Sequence, residues 1–506
     1  MSQDIPSFFH YAMNKKILSA ALMIGILTVP AQAQENNLVE KFAKFRKKAN
    51  SDYENYRKEL NGRYAEFMKK AWNSFKAEEP VARPKEEEIP PIVIEPEDTL
   101  TTVPQLPPVQ QPIKKVVEPP VVPAPPQPVA PIKEITPTVE AEKKIETERW
   151  GTKFNVRFND NQRFSLADCS NNALSKAWKQ ISESKQNNTI RDCLLLRAER
   201  QLNDWSYLCL LQSIAKEIYG ESNEAVLYTA YLFCQSGYKI RLGRDNAKLH
   251  LLFATQHIIY ERPFFIIDAE TFYSFTGECK HMDICNVPFP EEKPLSLLVA
   301  QQPRLEVTPT DSRTIKSKRY SAMEFSVNIN KNILQLYEEY PSSSIEHDFM
   351  TRWAMYANTP VSKEIKEKLY PQLDSLLADK GEVKAVEMLL NWVQTGFEYE
   401  FDDNVWGADR AFFAEETLYY PYCDCEDRSI LFSHLVRDIL NLNVVLVYYP
   451  GHIATAVEFN EEVSGDYITV NNKKFVICDP TYINASVGMS MPNLDTSNIS
   501  AILLNK

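Results

Sequence analysis

The chain has 506 residues, of which 44% are hydrophobic and 25% charged, with a formal net charge of −12. That length holds two or three ordinary domains, and the acidic balance excludes nucleic-acid binding by the chain as a whole, because phosphate contacts need a basic surface. The prolines are unevenly spread: 17 of the 32 fall between Pro80 and Pro137, and this stretch dilutes an otherwise globular composition.

In chain order, Met13, Lys15 and Lys16 precede an apolar run from Ile17 to Val29 and the small-residue site Ala31-Gln32-Ala33. This is the pattern of a bacterial secretory signal, with Met13 as the true start and a mature chain beginning near Gln34. Residues 1–33 are therefore predicted to be a signal peptide with an upstream extension, and the protein to be exported to the periplasm, the outer surface or the medium. The run is too short for a bilayer span, which needs about 20 apolar residues.

Over residues 34–78, Leu38, Phe42, Phe45, Ala49, Tyr53, Tyr56, Leu60, Tyr64, Phe67, Ala71 and Phe75 recur in steps of three and four, one face of a long helix. Its other face is rich in Lys and Arg, which suits a docking helix for a protein or a membrane surface. Residues 79–146 alternate Pro with Val, Ile, Gln, Lys and Glu and are predicted to be a disordered, semi-rigid spacer of polyproline character. Residues 147–300 read as helices followed by strands ("YKIRLG", "KLHLLFATQHIIY", "FFIIDAETFYSF"), and residues 301–506 as a second mixed region. The fold class expected is α+β. Of nine cysteines, Cys279 and Cys285, spaced C-x5-C, make the best disulfide pair; the same pair as half of a zinc site has no second ligand pair nearby.

The chemistry concentrates near the C-terminus. After "YYPYCDCEDRS", the residues Ile430, Leu431, Leu435, Val436, Ile439 and Leu440 have helical spacing, so Cys425 falls at a helix N-terminus, where unpaired N–H groups are expected to lower a thiol pKa. Three strand-like runs follow: "VVLVYY", "HIATAVEF" starting at His452, and "KFVICD" ending at Asp479. A helix carrying Cys, packed on strands offering His and then Asp, is the constellation of a catalytic triad, with Cys425 as nucleophile, His452 as base and Asp479 as orienter. The acidic run "FDDNVWGADR", with Asp402, Asp403 and Asp409, has no EF-hand pattern and reads as a loop-stabilising turn; no metal and no cofactor are expected.

The "CEDRS" helix, "GHIATAV" and "DPTY" resemble the transglutaminase-like superfamily over Glu382–Tyr482. The resemblance implies a papain-like α+β catalytic domain and thiol acyl transfer through a thioester, covering peptide hydrolysis, deamidation and crosslinking of a peptide or protein substrate. Hydrolysis is preferred because water is abundant. Cys425 fits the family's Cys-x-Asp register better than Cys423, and the oxyanion partner is unassigned beyond the Cys425 N–H. The rival reading is a non-catalytic binding or scaffolding module on the same fold.

Finally, "ESNEAVLYTAYLFCQSGYKIRLG" from Glu221 aligns without a gap under "CEDRSILFSHLVRDILNLNVVLV" from Cys425. Val226 falls with Ile430, Leu227 with Leu431, Leu232 with Val436 and Ile240 with Val444. This suggests that residues 147–300 form a degenerate copy, with His250 and Asp268 in the places of His452 and Asp479.

Overall fold

A computed structural model of the chain describes residues 31–85, 89–94, 107–135, 142–183, 187–277 and 280–505. Residues 1–30 of the expected signal peptide, and Cys279 with its expected disulfide, lie outside the described residues, while residues 31–33 belong to the first helix.

Helix α1 (Ala31–Met68) is shorter at its C-terminal end than the apolar spacing predicts. Leu60, Tyr64, Ala65 and Met68 are buried, and Tyr64 meets Trp178 of the helix Asn171–Glu183 with ring centroids 4.9 Å apart. Beyond Met68 the chain turns into β1 (Trp72–Lys76), which pairs antiparallel with residues 281–285. Ala71 and Phe75 keep helical spacing, but a sheet edge with unpaired N–H and C=O groups competes for this stretch and wins. Nearer its start the helix leaves Phe42 and Phe45 uncovered, 65% and 60% exposed.

The Pro-rich stretch also departs from expectation, because its described parts lie on the globular body. Residues 113–118 are free of proline and supply β2 (Ile113–Val117), a parallel edge strand beside Ile499–Leu503. Val117 and Ala130 are buried. Polyproline and strand backbones are both extended, so a proline-free window inside such a segment can join a ladder with little rearrangement.

The first unit contains α2 (Asn223–Gln235), then β3 (Ile240–Asp245), β4 (Lys248–Ala254), β5 (Phe264–Ile267), β6 (Glu270–Ser274) and β7 (His281–Cys285). Its sheet runs β1-β7-β3-β4-β6-β5. The second unit contains α3 (Glu382–Gly396) and α4 (Cys425–Leu440), then β8 (Asn443–Tyr449), β9 (His452–Glu458), β10 (Tyr467–Val470), β11 (Lys473–Cys478) and β12 (Ile499–Leu503). Its sheet runs β2-β12-β8-β9-β11-β10. The two orders are the same, strand for strand, each sheet being completed by one strand from the N-terminal arm. They differ at that strand, since β1 is antiparallel and β2 parallel to its neighbour.

Helix α4 packs on β8, β9 and α3. Along β9, Ile453 and Val457 face this helix, while Ala454 and Ala456 face a second apolar layer with Val445, Val447 and Ile477. The strands therefore read as continuous apolar runs, buried on both faces. The larger apolar core extends through both units without a break, and the short strands His257–Ile259 and Ser343–Ile345 pair across the boundary at residue 300.

Docking of the Pro-rich arm has a measurable consequence. Val117→Asp places a carboxylate in a buried edge position and should lower unfolding stability by about 2–3 kcal/mol in denaturant titrations. A free spacer would tolerate the change with no shift of midpoint.

Candidate active site

The N-terminus of α4 is built by its own first residues. Asp424 is the N-cap and Asp427 closes a reciprocal capping box with it. Asp427 Oδ1 also accepts the Phe412 N–H at 2.7 Å, which ties the preceding loop to the helix start. Cys425 is the first helical residue, 7% exposed, and its own N–H is one that an α-helix leaves without an intrahelical acceptor. The Ile453 N–H lies against the sulfur.

His452 opens β9 after the tight turn Pro450-Gly451, where Gly451 has φ +77°, a left-handed conformation that favours glycine. The imidazole is buried and its Nε2 lies 3.0 Å from Asp479 Oδ2. A carboxylate only accepts, so Nε2 carries the proton and Nδ1 presents a lone pair. Nδ1 is buried with no hydrogen-bond partner. Cys425, His452, Glu426, Arg352, Trp353 and Tyr448 border one cleft of ≈ 230 Å³. Cys425, His452 and Asp479 thus converge on one end of the sheet.

Asp479 follows β11 and is fixed from every side. Its Oδ1 accepts the N–H groups of Thr481 at 2.8 Å and Tyr482 at 3.2 Å. The Gln394 side-chain amide donates to the carbonyls of Asp479, Tyr482 and Ala485 at 2.9, 2.8 and 3.2 Å. Arg428, fully buried in α4, donates to the carbonyls of Gln394 and Phe397, each at 3.1 Å. Sequence reading passed over Gln394 and Arg428. Their signal was present, since each is a polar residue on an apolar helix face, and such groups are buried only with partners.

The electrostatics reverse one expectation. The Cys425 thiol is held well above its ordinary pKa, first by burial and then by the Glu426 and Asp424 carboxylates, and its S–H faces Glu426 Oε2 at 3.2 Å. The helix N-terminus does not prevail, because desolvation and adjacent anions oppose the thiolate more strongly than a half-charge of dipole supports it. Ligand atoms of Asp402, Asp409 and Glu426 lie within 4.8 Å of one another, as do those of Asp424, Cys425 and Glu426. Asp402 acts as the expected turn anchor, its Oδ2 accepting the Arg410 N–H at 2.5 Å. Asp409 pairs with Arg352, yet burial pushes its carboxyl up to about 6.

Cys423 lies outside the cleft lining, with its Sγ toward the Glu398 carbonyl and its thiol pushed up to about 11 by burial. Cys423, Cys425 and Cys478 are free thiols. Comparisons with family models, with curated proteins and with solved structures return no match.

In the first unit the expected equivalents need correction. The turns Asp245–Lys248 and Tyr449–His452 have the same length in their hairpins, so the gapless alignment from Glu221 carries through to Lys248 opposite His452. His250 then matches Ala454. Strand pairing sets Leu252 against Ser274 and Thr455 against Cys478, which places Thr276, and not Asp268, at the position of Asp479. Asp268 sits in the β5–β6 turn, bonded to Asn286. It is eight residues from Thr276, about 26 Å along an extended strand. Glu221, Lys248 and Thr276 border one cavity of ≈ 710 Å³.

Two outcomes follow from the acids. Glu426→Gln removes the anion beside the sulfur and should speed alkylation of Cys425 by roughly three- to tenfold at neutral pH, read by mass spectrometry of the labelled peptide. Glu416, buried on the short helix Ala414–Tyr419, is pushed by burial from 4.5 up to about 7 despite its pair with Arg410. The folded chain therefore keeps a proton there that the unfolded chain releases, so this contribution to stability is full below about pH 4.5 and lost as pH rises through about 7. Glu416→Gln should flatten that part of the melting-temperature profile between those limits.

Proposed function

We propose that this chain is a thiol-dependent acyl-transfer enzyme of the transglutaminase-like superfamily, acting on peptide or amide bonds outside the cytoplasm with Cys425, His452 and Asp479 as its triad. The observation that carries this reading is the buried Nε2–Asp479 hydrogen bond, 3.0 Å long, which leaves His452 Nδ1 unpartnered in the cleft it shares with Cys425.

In this mechanism His452 Nδ1 takes the thiol proton as the sulfur bonds to the carbonyl carbon, and Asp479 stabilises the imidazolium that forms. Collapse breaks the C–N bond, and the amine leaves with the proton from His452. Water, deprotonated by the same nitrogen, then attacks the thioester carbon; the C–S bond breaks, releasing a carboxylic acid and restoring the thiol. An amine in place of water would give a crosslink. Hydrolysis is favoured because water is the more abundant acceptor.

Incubation of the full chain with mixed peptides, followed by mass spectrometry, distinguishes the outcomes: gain of water marks cleavage, exchange of ammonia for water marks deamidation, and loss of ammonia marks crosslinking. Activity should survive Cys423→Ser and vanish in Cys425→Ala and His452→Ala. Asp479→Asn should reduce it by about 10²–10⁴-fold by weakening the correct tautomer. Equal behaviour of the wild type and the Cys425 variant would identify a binding module instead.

A further inference from the structure

Residues 81–85 lie against the Cys425 cleft. The Val81 carbonyl accepts the Glu261 N–H at 2.8 Å. Arg83 pairs with Glu261 at 3.0 Å and also donates to the Asp409 carbonyl, while Lys85 pairs with Asp403 at 2.9 Å. Ala82, Arg83, Pro84 and Lys85 line the same cleft as Cys425 and His452. Further along, the Ile89 N–H bonds the carbonyl of Gly451, the residue before His452, at 3.2 Å. Ile92 and Ile94 exchange backbone bonds with Ile483, just beyond Asp479, at 2.9 and 3.0 Å.

Two stretches of the arm are thus held on this side of the molecule: 81–85, with two cations resting on two carboxylates at the cleft rim, and 89–94, by main-chain bonds beside His452 and beyond Asp479. Main-chain bonding with side-chain charges for selectivity is how an extended peptide is recognised. The carboxylates of Glu261, Asp403, Asp409 and Glu426 make this rim acidic, and Arg352 is already engaged by Asp409.

We propose that the cleft selects extended peptides with basic residues flanking a proline or other non-donating position, that Glu261 and Asp403 are its specificity-determining carboxylates, and that Arg83 and Lys85 occupy their places in the resting chain. This rests on the reading of the Cys425 cleft as the substrate site. The Lys85–Asp403 pair is solvent-exposed, with side chains 82% and 51% accessible. Exposed pairs bind weakly, so the Lys85 contact is the one a peptide cation exchanges most readily.

The test uses the full chain carrying Cys425→Ala, so that binding is read without turnover, and a labelled peptide Pro-Val-Ala-Arg-Pro-Lys followed by fluorescence anisotropy. Adding Arg83→Glu and Lys85→Glu should tighten peptide binding by roughly tenfold, because the resident cations no longer compete. Adding Glu261→Lys and Asp403→Lys to that variant should abolish the gain, and a peptide with Glu in place of Arg and Lys should not bind. Equal binding of the two peptides, or no gain in the Arg83/Lys85 variant, overturns the proposal. Circular dichroism checks that each variant folds. Basic-peptide binding without amide turnover would sink the catalytic reading alone, and turnover indifferent to substrate charge would sink this one alone.

Discussion

The buried contact between His452 Nε2 and Asp479 Oδ2 is the interaction on which the site depends. A carboxylate and an imidazole are costly to desolvate, and such a pair persists only when the remaining polar atoms are matched. Here Oδ1 is matched by the Thr481 and Tyr482 N–H groups, and the loop that holds the aspartate is gripped through three carbonyls by Gln394. Arg428 grips the Gln394 carbonyl in turn, and it belongs to the helix that begins with Cys425. A run of bonds therefore leads from α4 through α3 and the Asp479 loop to His452, whose other ring nitrogen is buried without a partner. Loss of any member releases a neighbour's buried polar group.

The first unit shows what the same topology looks like without that clamp. Its sheet has the same strand order and its central hairpin the same turn length. Yet the positions of Cys425, His452 and Asp479 are filled by Glu221, Lys248 and Thr276. Glu221 is paired with Lys216 at 2.8 Å on the surface, whereas Cys425 is buried. Sheet order and hairpin length are thus properties shared by both units, while the His452–Asp479 pair is a feature of the second.

Much of this was legible in the sequence because it is written in short-range spacing. The α4 periodicity after Cys425, the strand beginning at His452 and the run ending at Asp479 each depend on neighbours within ten residues. The gapless match of Glu221 to Cys425 was legible for the same reason. What went astray depended on distant partners. His250 and Asp268 were matched by residue type, but the pairing of β4 with β6 decides which residues face each other, and that pairing is not local. The end of α1 was misplaced because the edge of β7 competes for Trp72–Lys76. The described parts of the Pro-rich arm were read as a free spacer but lie on the globular body, since composition constrains backbone shape and says nothing of what lies alongside.

The same distinction explains the thiol. Helix position at Cys425 argues for a thiolate, and Asp424 and Glu426 as chain neighbours argue against it, so local sequence contains both terms without their weights. Burial decides. With water excluded, the neighbouring carboxylates act through a lower effective dielectric, and the proton stays on sulfur. Asp402 and Asp409 gather near Glu426 from the preceding loop and add to the acidity of this end of the cleft. An acidic rim that suppresses the thiolate also attracts cations, and Arg83 and Lys85 of the docked arm are placed to meet it. A cationic peptide entering in their stead would keep that balance, whereas loss of the resident cations without replacement would leave the rim more acidic. The cations held at the rim and the protonation of the Cys425 thiol are thus two consequences of one charge distribution.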